Sequence, residues 1–244
     1  MSIYQSKENP KYSGFENLEI MDAAKKYNKF IQQNILDAAP KNRHFTAYDF
    51  GAGTGQFTKI WQNEKKRLVD VAAIELDDDF KKVLTEKNIK VVNFDDIRPM
   101  SADFIYSVNV LEHIYDDVAC LRQLHEKLKF GGKIYLYVPA FQFLWTQMDS
   151  NVGHVRRYNK ADLKRKLEST SFQIESIEYA DSAGFFASLA LRHLTKDIGV
   201  LDRRKIIFFD QVLFPIGRVF DKFLFKRILG KNISVTAIKS KEGL

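Results

Sequence analysis

Tyr48-Asp49-Phe50-Gly51-Ala52-Gly53-Thr54-Gly55-Gln56-Phe57 is the stretch on which the fold turns. An aromatic, apolar run from Phe45 to Phe50 leads into glycines at every second position, and a helical pattern follows to about Lys66. This reads as strand, tight turn, helix. Glycine suits the turn because it takes positive φ freely and because a side chain would keep a ligand off the backbone. A helix starting directly after Gly55 would offer unpaired N–H groups and a positive dipole end to an anionic ligand. The dinucleotide fingerprint G-x-G-x-x-G/A is not met, since Gln56 stands where the last small residue belongs. The Gly-Lys-Ser/Thr of a phosphate loop is absent. On this stretch alone, a glycine turn without a ligand remains the plain alternative.

Upstream, Met21, Ala24, Tyr27, Ile31, Ile35 and Ala38 recur at three- and four-residue steps. They predict an amphipathic helix over about 15–39, stopped by Pro40 and placed to lie across a crevice as a lid or simply to cover a core edge. Residues 1–14 are expected to be poorly ordered. Downstream, apolar runs at 69–75, 90–94, 103–108 and 133–138 alternate with helical patterns near 79–87 and 116–129, the last ended by Gly131-Gly132. Strands alternating with helices predict an α/β, doubly wound, mostly parallel sheet, whose ligands bind beyond the carboxyl ends of the strands. After Pro139 come an irregular loop, a helix over 160–169 capped by Asn159, and a strand over 172–179. Apolar helical segments at 183–195 and 206–229 follow, the second kinked or broken by Pro215, and a last strand over 232–238 returns beside the sixth. The expected division is a lid helix (1–40), a ligand-binding core (41–140) and an acceptor-side loop with helical insertion and last strands (141–244), in one domain overall.

Composition narrows the function. One cysteine, Cys120, excludes a disulfide framework and a cysteine-built zinc site. No apolar run approaches a membrane span and the N-terminus lacks a signal-peptide segment, so a cytoplasmic location is expected. A net charge of +7 allows an acidic partner. The basic clusters at 164–166 and 203–205 are not interleaved with aromatics as a stacking platform would be, so no nucleic-acid partner is expected.

The strand ends carry the chemistry. Glu75, 24 residues after Gly51, can accept both hydroxyls of a ribose. Asp95 or Asp96, after the third strand, can accept from an adenine amino group. After the fourth strand stands Asn109-Val110-Leu111-Glu112-His113. The order DFGAGTGQF, AAIELD, NFDDI, SVNVLEHI, LKFGGKIYLYVPA over residues 45–140 resembles the Rossmann-like (class I) methyltransferases that use S-adenosylmethionine (SAM) and release S-adenosylhomocysteine. The lid-helix segment, the GHVRRY segment and the closing GKNISVTAIK resemble a subgroup common in bacterial biosynthetic gene clusters. The resemblance implies that Gly51, Gly53 and the adjacent backbone of Ala52 and Gly55 hold the methionine part of SAM, and that Asp49 orders the loop. It further implies that Glu75, beside Leu76, binds the ribose, that Asp95 or Asp96 contacts adenine, that Asn109, Val110 and Leu111 lie along the nucleoside, and that Tyr27 closes over the cofactor.

A neighbouring branch of that family binds a metal through Glu-x-x-Glu-His. Here the first position is Asn109, so Glu112 and His113 alone are too few, and no metal is expected. The candidate catalytic and acceptor-binding set is His113 with His154, Arg156, Arg157 and Tyr158 of the segment Gly153-His154-Val155-Arg156-Arg157-Tyr158. An arginine fork suits a carboxylate, which is ionised at neutral pH and needs no base. A hydroxyl would need one, and His154 or His113 is the candidate. At least one arginine is expected to pair with Asp149 or Glu112 and fix the loop. The first expectation is therefore O-methylation of a carboxylate on a small molecule or peptide. The second is a hydroxyl on a sugar, polyketide or lipid-linked glycan, and the third a SAM-binding partner subunit without activity. No Asn-Pro-Pro-Tyr follows the fourth strand, which argues against methylation of nucleic-acid bases or protein glutamine. The aromatic residues of 183–229 are expected to wall an acceptor pocket, form a homodimer face, touch a membrane surface, or pack as ordinary core.

Overall fold

The computed structural model describes residues 14–41, 43–63, 69–194, 202–223 and 225–240. The N-terminal stretch up to residue 13 and the end of the helix expected over 55–66 lie outside them. Seven strands form one sheet: β1 (Phe45–Phe50), β2 (Val69–Ile74), β3 (Val91–Val92), β4 (Ala102–Val108), β5 (Leu128–Pro139), β6 (Phe172–Ala180) and β7 (Asn232–Lys239). Their order is β3-β2-β1-β4-β5-β7-β6. The first five are parallel, and β7 slots antiparallel between β5 and β6. The order reverses between β1 and β4, so a crevice opens there beyond the strand ends. β4 is buried along nearly its whole length, as its apolar run requires of a central strand covered on both faces.

On one face of the sheet, α2 (Lys25–Ala38) lays Tyr27, Ile31, Ile35 and Ala38 against Phe104, Tyr106, Tyr135 and Tyr137. The predicted lid helix is two helices: α1 (Gly14–Met21) ends in a turn before α2 begins. No side chain of its own caps α2. Asp210 does so instead, accepting from the amides of Lys26 (3.1 Å) and Tyr27 (2.8 Å). On the other face, α5 (Asp117–Lys127) and α7 (Lys160–Ser169) bury Leu121, Leu124, Leu163 and Leu167. Asp116 and Asn159 cap them, each accepting from the amide three residues on.

Three local expectations differ. The helix after the glycine stretch, α3, is described only over Ile60–Asn63, and turns fill Gly53–Lys59, so its N-terminus does not abut the glycines. Gly131-Gly132 do not end α5, which closes at Lys127. They lie inside β5, where pairing with β4 jumps from Ala102↔Leu128 to Phe104↔Lys133; Gly131 has φ +77°, and a Cβ on Gly132 would sit 2.8 Å from the Lys129 carbonyl. Pro215 does not break its helix. α9 (Arg203–Phe208) runs through a π-turn (Phe209–Leu213) into α10 (Phe214–Phe223), and the Gln211 carbonyl that Pro215 cannot reach accepts from Lys26 Nζ at 3.1 Å. The segment expected over 183–195 is α8 (Ser182–Leu194).

Candidate active site

The glycine loop runs off the end of β1 and turns on three positive φ angles, +77° at Gly51, +51° at Gly53 and +77° at Gly55. Side chains press on it from two directions: a Cβ on Gly51 would lie 2.4 Å from Val110, and one on Gly55 would lie 2.4 Å from Ile89. Leu18 of α1 packs over Gly53, where a Cβ would lie 3.3 Å from it. Glu75 projects from the end of β2. Its Oε2 accepts from the Gly53 amide at 2.7 Å, and its Oε1 from the amides of Leu76 (2.7 Å) and Asp77 (3.1 Å). Asp49 lies beneath, buried, accepting from Thr58 Oγ1 at 2.6 Å. Burial lifts its carboxyl to about 7, opposed by the Thr58 hydrogen bond and reinforced by the charge of Glu75. The loop is tied from the far side by Lys87 Nζ, which donates to the Thr54 carbonyl at 2.8 Å. Asp95 and Asp96 are exposed after β3, and Leu76 is exposed after β2.

Past β4, Asn109 takes φ +54°, a conformation asparagine tolerates better than most residues, and this carries Val110 over Gly51. A short 3₁₀ turn (Leu111–His113) follows, with Leu111 buried. Tyr27 hydroxyl lies 3.1 Å from Tyr137 hydroxyl and donates to Asn232 Oδ1 at 3.3 Å; Asn232 in turn donates to Asn109 Oδ1 at 3.4 Å. Tyr27 is thus buried and held by two strands, β5 and β7.

The segment after β5 is an ion-pair network around Asp149, which lies in α6 (Gln147–Asn151). Arg157 grips Asp149 with Nε (2.8 Å) and Nη2 (2.9 Å), and donates from Nη1 to the Ala140 carbonyl. His154 Nδ1 lies 2.7 Å from the same carboxylate. Burial opposes ionisation of Asp149, but the His154 and Arg157 hydrogen bonds and the Thr146 amide outweigh it and hold the carboxyl well below the usual range. An ionised Asp149 accepts the Nδ1 proton, which leaves the lone pair of His154 on Nε2. That nitrogen lies 3.7 Å from Glu112 Oε1, and the rings of His113 and His154 meet edge-on at 4.7 Å. Burial, helped by His154, lowers His113 to about 4 against a backbone contact with Gly153. Glu112 is fully buried, neither of its oxygens has a hydrogen-bond partner, and burial lifts it to about 7.

A model of the methyltransferase domain matches residues 23–177. The chain belongs to that family. It is a SAM-dependent methyltransferase. No curated protein sequence matches this methyltransferase. In fold it is similar to a methyltransferase in complex with the Haloferax volcanii Trm112 methyltransferase activator (12% identity, 97% of this chain and 100% of that one, TM-score 0.65). It is also similar to a possible histamine N-methyltransferase from Thermotoga maritima (11%, 92% and 95%, 0.62). A third likeness is to a Haemonchus contortus phosphoethanolamine N-methyltransferase in complex with SAM (15%, 99% and 60%, 0.60).

The methyltransferase gathers the glycine loop, Glu75, Asn109, Val110 and Leu111 around the switch point, and the donor set fits the cofactor. Oε1 of Glu75 takes two backbone amides and Oε2 one, so the half-buried carboxylate keeps on Oε2 the lone pair that a ribose hydroxyl would need. The acceptor-side residues divide differently. Arg157 is the structural arginine that the sequence led us to expect, on Asp149 as named. Arg156 is taken too, by Asp117 Oδ2 at 2.5 Å and the Tyr115 carbonyl at 2.6 Å, so neither fork is an open clamp. Tyr158 is buried, its hydroxyl within 2.9 Å of Asp117 Oδ2 and 3.2 Å of the Leu111 carbonyl, and is a packing residue rather than a catalytic one. The count of possible metal ligands was one short: the loop brings His154 to Glu112 and His113, with ligand atoms within 4.8 Å of one another. Sequence reading missed Asn232 and Tyr137. Their signal was the antiparallel register of the last strand, which pairs Asn232 with Pro139 at the crevice rim.

Proposed function

We propose that this enzyme methylates a hydroxyl oxygen, with His154 as the base. The observation that carries the reading is the 2.7 Å pairing of His154 Nδ1 with an ionised Asp149. It fixes the tautomer and leaves the Nε2 lone pair, 3.7 Å from Glu112 Oε1, as the basic site. Bound SAM supplies a sulfonium-activated methyl group, and the C–S bonding pair leaves with S-adenosylhomocysteine. Glu75 and the glycine loop hold the nucleoside and methionine ends; Asn109, Val110 and Leu111 line the path between them. His154 Nε2 takes the hydroxyl proton as the oxygen attacks, and the imidazolium so formed is stabilised by Asp149 before it loses the proton to water. The carboxylate alternative is weaker because it needs a cationic clamp, and both arginines are already paired.

A second reading rests on one observation. Glu112 holds a buried carboxyl to which no group donates a hydrogen bond, which is a complement for a cationic amine. The test is product release from a panel of hydroxyl, amine and carboxylate acceptors, with and without a chelator. His154→Ala is expected to lose roughly 10²–10³ in kcat, with SAM affinity unchanged by calorimetry. Full activity of that variant overturns the base role. Turnover of amines alone, abolished in Glu112→Gln, transfers the proposal to the second reading.

A further inference from the structure

From Arg203 to Phe223 the chain is helical throughout, about 30 Å long at the rise of a helix. Its carboxylates point inward. Asp210 is fully buried under α2, and Asp221 accepts from the Ser182 amide at 3.2 Å. Phe214 packs against Tyr27, and Gly217 lets the helix close on Ala183, where a Cβ would come within 2.6 Å. The apolar side chains point outward. Phe208, Val212, Leu213, Ile216, Val219 and Phe220 are 37–59% exposed, and most follow three- and four-residue steps along one stripe. Single exposed apolar residues are ordinary, whereas a contiguous stripe is not. Within these helices the exposed charges are positive, Arg203, Arg204 and Lys205 at one end and Lys222 at the other, and the capping Asp202 is the exposed acid beside them, which leaves both ends net basic.

We propose that this face docks on an anionic lipid bilayer, the helix lying in the headgroup plane with its apolar stripe in the acyl boundary and its basic ends on lipid phosphates. Apolar residues flanked by net basic ends, with Asp210 and Asp221 turned inward, is the pattern of a helix that lies on a membrane. Among the described residues no helix is long and apolar enough to cross one. A second copy is a poorer occupant, since an isologous pairing of antiparallel helices sets net basic end against net basic end, with one Asp202 per copy against four exposed bases. The inference goes beyond the proposed function and does not rest on it, because lipid binding is read without an acceptor.

The experiment is co-sedimentation of the full chain with phosphatidylcholine vesicles, with and without phosphatidylglycerol. Binding is expected to need the anionic lipid, to weaken as salt is raised, and to fall by about tenfold or more in Ile216→Asp/Val219→Asp. Arg203→Glu/Arg204→Glu is expected to lose the preference for phosphatidylglycerol. SAM titration of each variant shows that it has folded. Absence from both kinds of vesicle overturns the proposal, as does binding that both variants leave unchanged. Concentration-dependent dimers that Ile216→Asp abolishes also overturn it, and assign the face to a second copy.

Discussion

At the ends of β1 and β2 the crevice is held by backbone amides on one carboxylate, whereas after β5 it is held by ion pairs that use up nearly every charge. Glu75 takes amides from its own turn and from the glycine loop and stays open to the crevice. Asp149 takes two side chains and two capping contacts from Thr146 and is sealed in. Residues of the same chemical type therefore do opposite work. After β2 an acid at a strand end is held by amides with a lone pair to spare. After β5 the acids and arginines stiffen a loop and hold the His154 ring at a fixed angle.

The contrast breaks hardest at Asp149. Asp149→Ala leaves Arg157, whose side chain is 6% exposed, without its partner, and is expected to cost about 3–5 kcal/mol of stability along with activity, read by chemical denaturation. Glu75→Ala should spare the fold and weaken SAM binding by roughly 10–100-fold in calorimetry, the scale of hydrogen bonds to a charged group. Equal destabilisation by both substitutions would erase the distinction between the two sides.

Glu112→Gln sharpens it further, through pH. The carboxyl of Glu112 is raised from an ordinary 4.5 to about 7 by burial, so its penalty is absent below pH 4.5, grows as pH rises to about 7, and is constant above. The variant should gain on the order of 1–3 kcal/mol over the parent at pH 8 and nothing at pH 4. His113 acts in the reverse sense: lowered to about 4, it withdraws stability as pH falls from 6.5. Smallest of all is Arg156→Ala. Its side chain is 23% exposed and shares Asp117 with Lys166, so a loss of about 1 kcal/mol or less is expected, with no change in acceptor KM.

What the sequence made legible was local. The alternation of apolar strands and helices, the caps at Asp116 and Asn159, and the place of Glu75 at a strand end follow from patterns a few residues long. What it hid was partner choice. GHVRRY shows two arginines but not that Asp117 lies beneath one of them, 39 residues back. The motif counts Glu112 and His113, and only the path of the loop brings His154 to them. A helix cap from Asp210 to α2, across 183 residues, leaves no trace in either segment alone.

That last contact bears on the order of assembly. During synthesis α2 leaves the ribosome long before the residue that caps it, and β5 waits for β7, which is made after β6 and the helices α8, α9 and α10. Domains emerge N-terminus first, so the sheet β3-β2-β1-β4 can form on the nascent chain with one edge open. α2 acquires its cap, and Tyr27 its bond to Asn232, only once those later segments have emerged. A truncated product would thus carry the glycine loop and Glu75 without a finished crevice above them.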